Sequence, residues 1–165
     1  MYQPKFNFFV DLDGVLADFD RGFMEFCGST LPLRETDRRA GWEAIKRTPK
    51  FWANLPLMPG ALALWDLVRA HNPIILTSPS FHDEARARVG KKEWVETWLG
   101  KDVPVLFRRS KDKHLLAAPD AILIDDWVDN IARWRQAGGI GIQHLDFHST
   151  RAEIARHAPG YVEVA

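Results

Sequence analysis

The chain has 165 residues, with 22 Lys plus Arg against 22 Asp plus Glu and a formal net charge of zero. A neutral balance gives no general pull toward a polynucleotide or an anionic membrane, and the length and 46% hydrophobic content suit one domain with a full core. The single cysteine, Cys27, excludes an internal disulfide and reads as a packed thiol; no segment reaches the roughly 20 apolar residues of a membrane span, and the N-terminus has no secretory pattern, so a cytoplasmic protein is expected.

Phe6–Val10 is a short apolar run that leads straight into Asp11-Leu12-Asp13-Gly14, and it reads as a buried strand. The stretch from Phe19 to Met58 has helical patches (Phe19, Phe23, Phe26, then Trp42 and Ile45) and no strand. It is too long for a simple crossover and predicts a small helical cap, residues 19–58, inserted between core segments 1–18 and 59–165. After Pro59-Gly60, Leu62, Trp65, Leu67 and Val68 share one helix face. A strand follows at Ile74–Thr77, then a helix carrying Val89, Trp94, Val95, Trp98 and Leu99 that stops at Gly100. Strands at Val103–Phe107, Ala121–Ile124 and Ile140–Gln143 continue the rhythm, with a helix over Trp127, Val128, Ile131 and Trp134 before Gly138-Gly139. Strands alternating with helices predict an α/β fold with a parallel sheet and right-handed crossovers. Tyr161–Val164 is expected to form a short last strand, and His144 and His148 read as scattered surface histidines.

Four clusters fall at successive strand ends, where open α/β sheets place their ligands. Asp11 and Asp13 are like charges too close together to be tolerated without a cation or a reaction. Asp11 is a candidate nucleophile and metal ligand, and Asp13 a candidate acid/base whose backbone carbonyl also faces the metal. Thr77 and Ser78 end the second strand with hydroxyls able to donate to a phosphate. In Arg108-Arg109-Ser110-Lys111-Asp112-Lys113, either Lys113 or Lys111 can neutralise the nucleophile and the transferring group, and Arg108 or Arg109 can help hold a phosphate. Of Asp125 and Asp126, one can bind Mg²⁺ directly, while the other holds a metal-bound water or orients the lysine; hard oxygen ligands suit that ion.

With these four clusters in order, the chain resembles the haloacid dehalogenase (HAD) superfamily phosphatases. The resemblance implies a Rossmann-like three-layer α/β/α fold with a small cap, Mg²⁺ dependence and an aspartyl-phosphate intermediate. Asp11 and Asp13 match the first motif, Thr77 the second, Lys113 the third and Asp125-Asp126 the fourth. Within the superfamily it is similar to the 5′(3′)-deoxyribonucleotidases, through Asp11 to Phe19, Leu57-Met58-Pro59-Gly60-Ala61, Thr77-Ser78-Pro79, Lys92-Glu93-Trp94-Val95 and Leu123 to Asp126. That likeness makes Asp126 the direct metal ligand, Phe19 a substrate contact, Trp42, Phe51 and Trp52 the aromatics flanking a base, and Lys92 or Lys91 a phosphate contact. The chain departs from the family at Ser80-Phe81-His82, where a lysine-bearing loop is common. The expected activity is hydrolysis of a small phosphate monoester, a (deoxy)ribonucleoside 5′-monophosphate first, by a monomer or homodimer without polynucleotide or membrane partners. A sugar-phosphate phosphatase and a catalytically silent binding protein on the same fold are the alternatives.

Overall fold

The computed structural model describes residues 6–161. Among these residues five strands form one parallel sheet in the order β3-β2-β1-β4-β5: β1 (Asn7–Val10), β2 (Ile74–Thr77), β3 (Val105–Phe107), β4 (Ala121–Asp125) and β5 (Ile140–Gln143). β1 pairs with both β2 and β4, with Phe9 opposite Ile74 and Leu123, so the first strand lies at the centre. The chain leaves β1 toward β2 and returns from β3 to β4, which makes the carboxyl ends of β1 and β4 neighbours at the point where the strand order reverses.

Among the described residues six α-helices accompany the sheet: α1 (Phe19–Cys27), α2 (Arg38–Arg47), α3 (Ala61–Val68), α4 (Glu84–Trp98), α5 (Val128–Gln136) and α6 (Phe147–His157). Strand side chains alternate between the two faces. Phe8, Val10, Ile75, Ile122 and Ile124 pack with Leu64, Trp65 and Val68 of α3, Ala87, Trp94 and Val95 of α4, and Ile154 of α6. Phe9, Leu76, Ala121 and Leu123 face the other way, onto Ile131 and Trp134 of α5. The result is a three-layer sandwich. The α5 face divides as burial requires: Ile131 and Trp134 are buried, whereas Trp127 and Val128, expected on the same buried face, stand exposed at its start.

Between β1 and α3 the chain is helical, with α1, α2 and 3-10 turns at Leu33–Glu35 and Phe51–Ala53. Asp18 and Asp37 cap α1 and α2 by accepting from Arg21 and from Arg39 and Ala40 backbone N–H groups. This segment is tied to the rest by Trp94 Nε1–H donating to the Leu55 carbonyl at 2.7 Å and by Trp52 Nε1–H donating to Asp83 at 3.2 Å. Gly90 makes the close approach possible: a Cβ there would stand 2.6 Å from the Trp52 Cβ and 3.0 Å from the Ala53 nitrogen. Cys27 is half-buried beside Thr48. No helix among the described residues is long and apolar enough to cross a membrane. The expected last strand falls on a 3-10 turn at Pro159–Tyr161, and Val162–Val164 lie outside the described residues.

Candidate active site

Asp11 is the first residue beyond β1, and its N–H donates to the Ile124 carbonyl of β4. That bond carries the parallel ladder one residue past the strand and aims the Asp11 carboxylate at the end of β4. The next turn is tight: Val15, Leu16 and Ala17 all donate to the Leu12 carbonyl. It requires Gly14, whose φ is +77° and whose position leaves no room for a side chain, since a Cβ would lie 2.4 Å from Asp126 Oδ2. The glycine thus lets the β1 and β4 loops meet.

Asp11, Asp125 and Asp126 bring one carboxylate oxygen each to within 4.8 Å of one another. Lys113 stands against this group, donating to Asp11 Oδ1 at 2.9 Å and to Asp125 Oδ2 at 2.7 Å, with only 1% of its side chain exposed. Burial pushes the Asp11 carboxyl up to about 7, opposed by Lys113 and reinforced by Asp125 and Asp13. Burial likewise raises Asp126 to about 6, with Asp125 adding to it. Burial by itself would lower Lys113, yet the two carboxylates beside it outweigh that and hold it above the ordinary lysine range. A site that raises two of its own acids while offering hard oxygens is short of positive charge, and a divalent cation fits that deficit. Lys111 is exposed and takes no part, so the two candidate lysines are separated by burial.

Asp125 is fully buried and does not line the cavity; both its oxygens are occupied. Lys113 donates to Oδ2, the Trp127 N–H to Oδ1 at 2.9 Å, and Asn130 Nδ2 to both at 3.1 and 3.0 Å. Its place is behind Lys113, whereas Asp126 faces the cavity. Asp13 is a metal candidate only through its backbone, because its carboxylate is held elsewhere: Lys91 Nζ donates to Asp13 Oδ2 at 2.5 Å, to Thr77 Oγ1 at 3.1 Å and to the Ser78 carbonyl at 2.8 Å. Asp13 Oδ1 is buried with no partner.

These groups open into a cavity of about 580 Å³ between the sheet edge and the helical segment. Asp11, Asp13, Ser78, Lys91 and Asp126 form its floor, and Phe19, Trp42 and Trp52 form an aromatic wall. The Phe19 ring lies 6.1 Å from Trp42 and 5.7 Å from Trp52, and the Trp42 ring is stacked by His82 at 4.6 Å. The Trp42 Nε1–H is buried and unpartnered.

Four sequence expectations change. Lys92 is exposed on the outer side of α4, and Lys91, the other candidate, reaches the site because its neighbours Gly90 and Trp94 lie on the buried side of the helix. Phe51 is buried behind the wall, 5.2 Å from Trp52 and 5.7 Å from Phe19, and does not line the cavity. Thr77 is fully buried with its hydroxyl on Lys91, so it supports the floor from beneath. His144 also departs from expectation: it is buried at the end of β5, bonded to Thr150 at 2.8 Å, and burial lowers its pKa. Asn130, Trp127, Ser110 and Arg34 line the cavity without having been singled out for it. Asn130 lies in the first turn of α5, which begins just after the Asp125-Asp126 pair, and its side chain bonds Asp125; that position was the available signal.

No protein-family model matches the chain. Among solved structures, a HAD family hydrolase from Deinococcus radiodurans R1, holding phosphate and sodium, superposes with a TM-score of 0.55 at 16% identity over 99% of this chain and 100% of that one. A hydrolase from Pseudomonas syringae superposes with a TM-score of 0.53 at 17% identity over 91% and 90%. The fold is therefore that of the HAD hydrolases. A Bordetella pertussis protein provisionally named 5′(3′)-deoxyribonucleotidase is 30% identical over 135 residues, 71% of this chain and 72% of its own length. The human mitochondrial 5′(3′)-deoxyribonucleotidase is 29% identical over 143 residues, covering 73% of this chain and 61% of that protein. The chain belongs to the 5′(3′)-deoxyribonucleotidase family and is a phosphoric monoester hydrolase.

Proposed function

We propose that the chain is a Mg²⁺-dependent 5′-nucleotidase that hydrolyses (deoxy)ribonucleoside monophosphates through an aspartyl-phosphate on Asp11. The observation that carries this reading is the placement of Asp11 between Lys113 and the acids at the end of β4, with Asp13 and Lys91 beside it in one cavity. The names of the relatives supply the substrate class.

An Asp11 oxygen attacks phosphorus and the ester P–O bond breaks. Asp13 gives its proton to the leaving ribose oxygen. Water then attacks the phosphorus of the aspartyl-phosphate, Asp13 takes the proton from that water, and the P–O bond to Asp11 breaks to release phosphate. Lys113, at 2.9 Å from Asp11 Oδ1, stabilises the anionic charge on the nucleophile side; Lys91, whose three N–H groups bond Asp13, Thr77 and the Ser78 carbonyl, adds positive charge beside the phosphoryl oxygens, and Ser78 offers them its hydroxyl. Asp11, Asp126 and the Asp13 carbonyl would hold Mg²⁺, which supplies positive charge to the phosphoryl oxygens as a Lewis acid. Asp125 keeps Lys113 oriented. In this reading residues 19–58 act as the cap, its aromatics Phe19, Trp42 and Trp52 excluding water and packing against the base.

The test is phosphate release from a panel of nucleoside monophosphates and sugar phosphates, with Mg²⁺ and with chelator. The expected result is Mg²⁺-dependent release that favours nucleotides and vanishes in Asp11→Asn. Equal rates on nucleotides and sugar phosphates would remove the nucleotide assignment, and wild-type rates in Asp11→Asn would remove the mechanism.

A further inference from the structure

The cavity floor is acidic, with Asp11, Asp13 and Asp126, and the loop after β3, which joins its lip through Ser110, is basic. Arg108, Arg109 and Lys111 are all exposed on the loop and 3-10 turn that follow β3. None of the three has a carboxylate within ion-pair distance among the described residues. Arg38, Arg39 and Arg133 likewise have no carboxylate partner among the described residues; what sets this loop apart is three such cations within four residues, around a serine that lines the cavity. The basic loop is fixed to the cavity at its middle: Ser110 lines the cavity and its hydroxyl is 2.9 Å from the hydroxyl of Ser78, the residue proposed to meet the scissile phosphate. Next to it Phe81 is 78% exposed, and the Arg109 guanidinium lies 5.3 Å from its ring centre.

An unpaired cationic run joined to the phosphate floor, with an exposed aromatic ring, has the chemistry that binds a further phosphate and stacks a base beside it. A mononucleotide held at Asp11 has only the phosphate being hydrolysed, which leaves this lip unused. We propose that Arg108, Arg109 and Lys111 bind a second phosphate of the substrate, one that is not hydrolysed. The inference rests on the nucleotidase reading above. Two substrates carry such a group: a nucleoside 3′,5′-bisphosphate and the phosphorylated end of a short single-stranded oligonucleotide.

The experiment compares kcat/KM for a nucleoside 5′-monophosphate, the matching 3′,5′-bisphosphate and a 5′-phosphorylated trinucleotide, over a salt series. The proteins are the wild type, the triple variant Arg108→Ala/Arg109→Ala/Lys111→Ala and the single variant Arg109→Glu. In the wild type at low salt, at least one of the two larger substrates is expected to exceed the monophosphate by about tenfold, the scale of one or two charged hydrogen bonds. The triple variant loses that advantage while keeping its monophosphate rate, and its salt dependence becomes shallower by about one unit of slope per lost phosphate contact. Arg109→Glu reproduces the loss, which guards against a misfolded triple variant. A gain for the bisphosphate alone assigns the lip to a small molecule, and a gain for the trinucleotide assigns it to a strand end. No gain for either, or an equal loss on all three substrates in both variants, overturns the proposal. Absence of monophosphate hydrolysis in the wild type would instead count against the nucleotidase reading.

Discussion

Lys91 Nζ lies 2.5 Å from Asp13 Oδ2, across 78 residues of chain. α4 buries this ammonium among Asp13, Thr77 and Ser78, so one cation joins the loop after β1 to the loop after β2. Lys91→Ala is expected to lower kcat/KM by about 10²-fold, the scale of losing one preorganised charged donor. Lys92→Ala, on the exposed side of the same helix, is expected to change stability by no more than about 0.5 kcal/mol and to leave the rate unaltered. Steady-state kinetics of the two variants checks the choice; a reversed pattern would return the phosphate contact to Lys92.

Lys113 is the only described cation that touches both Asp11 and Asp125. Lys113→Met leaves two buried carboxylates facing each other, and removal of one partner from a buried ion pair costs about 3–5 kcal/mol. Denaturant unfolding of the metal-free variant should show a loss of that size, and Lys111→Met should show none. Equal stability of Lys113→Met and wild type would mean that the pair is not charged in the folded protein.

Asp11 and Asp126 are raised by burial to about 7 and about 6, against 3.8 for an unburied carboxyl. The metal-free folded state therefore binds more protons than the unfolded chain between about pH 4 and 7. The sign follows: the contribution of these two acids is fully present below pH 4 and is lost as pH rises through 6 and 7. Above pH 7, Asp11→Asn should be more stable than wild type without Mg²⁺ while lacking activity. Because Mg²⁺ requires ionised carboxylates, its affinity should rise across the same window and its binding should release protons. Calorimetric titration in two buffers of different ionisation enthalpy measures that release; zero release at pH 6 would contradict the raised values.

Gly14→Ala places a methyl group 2.4 Å from Asp126 Oδ2 in a backbone held at φ +77°. Asp126 must swing away or the turn must open. The expected outcome is a 10–100-fold weaker apparent affinity for Mg²⁺, on the order seen when a group that orients a metal ligand is disturbed. Activation curves against Mg²⁺ concentration, together with a melting curve in chelator, separate the metal effect from general destabilisation.

Much of the fold was legible because its cause is local. Ile74–Thr77 and Ile140–Gln143 are strands over the predicted residues, and β1, β3 and β4 differ from prediction by one or two residues at an end. Apolar runs ending in Asp, Thr or Asp-Asp announce a buried strand and its functional end together. Side-chain direction on helices was legible only in part. Trp127 and Phe51 are both aromatic and both lie near the site, yet Trp127 stands exposed at the cavity and Phe51 is sealed behind it. Hydrophobicity cannot separate them, because each position is decided by what packs against it from another part of the chain.

By itself the sequence determined the five strands, the glycine turn after Asp11 and the acids, hydroxyl and lysine at the strand ends, since each follows from local periodicity and residue chemistry. Only the tertiary structure decided that Lys91 rather than Lys92 reaches Asp13; for Lys113 and Asp126, which the family resemblance already singled out, it supplied the reason, since Lys113 is buried against Asp11 while Lys111 is exposed, and Asp125 backs the lysine while Asp126 faces the cavity. Neighbouring residues of like type differ in function by the direction in which they point. That direction is set by the packing of α4 against Trp52 and of β4 against β1, contacts between segments far apart in the chain.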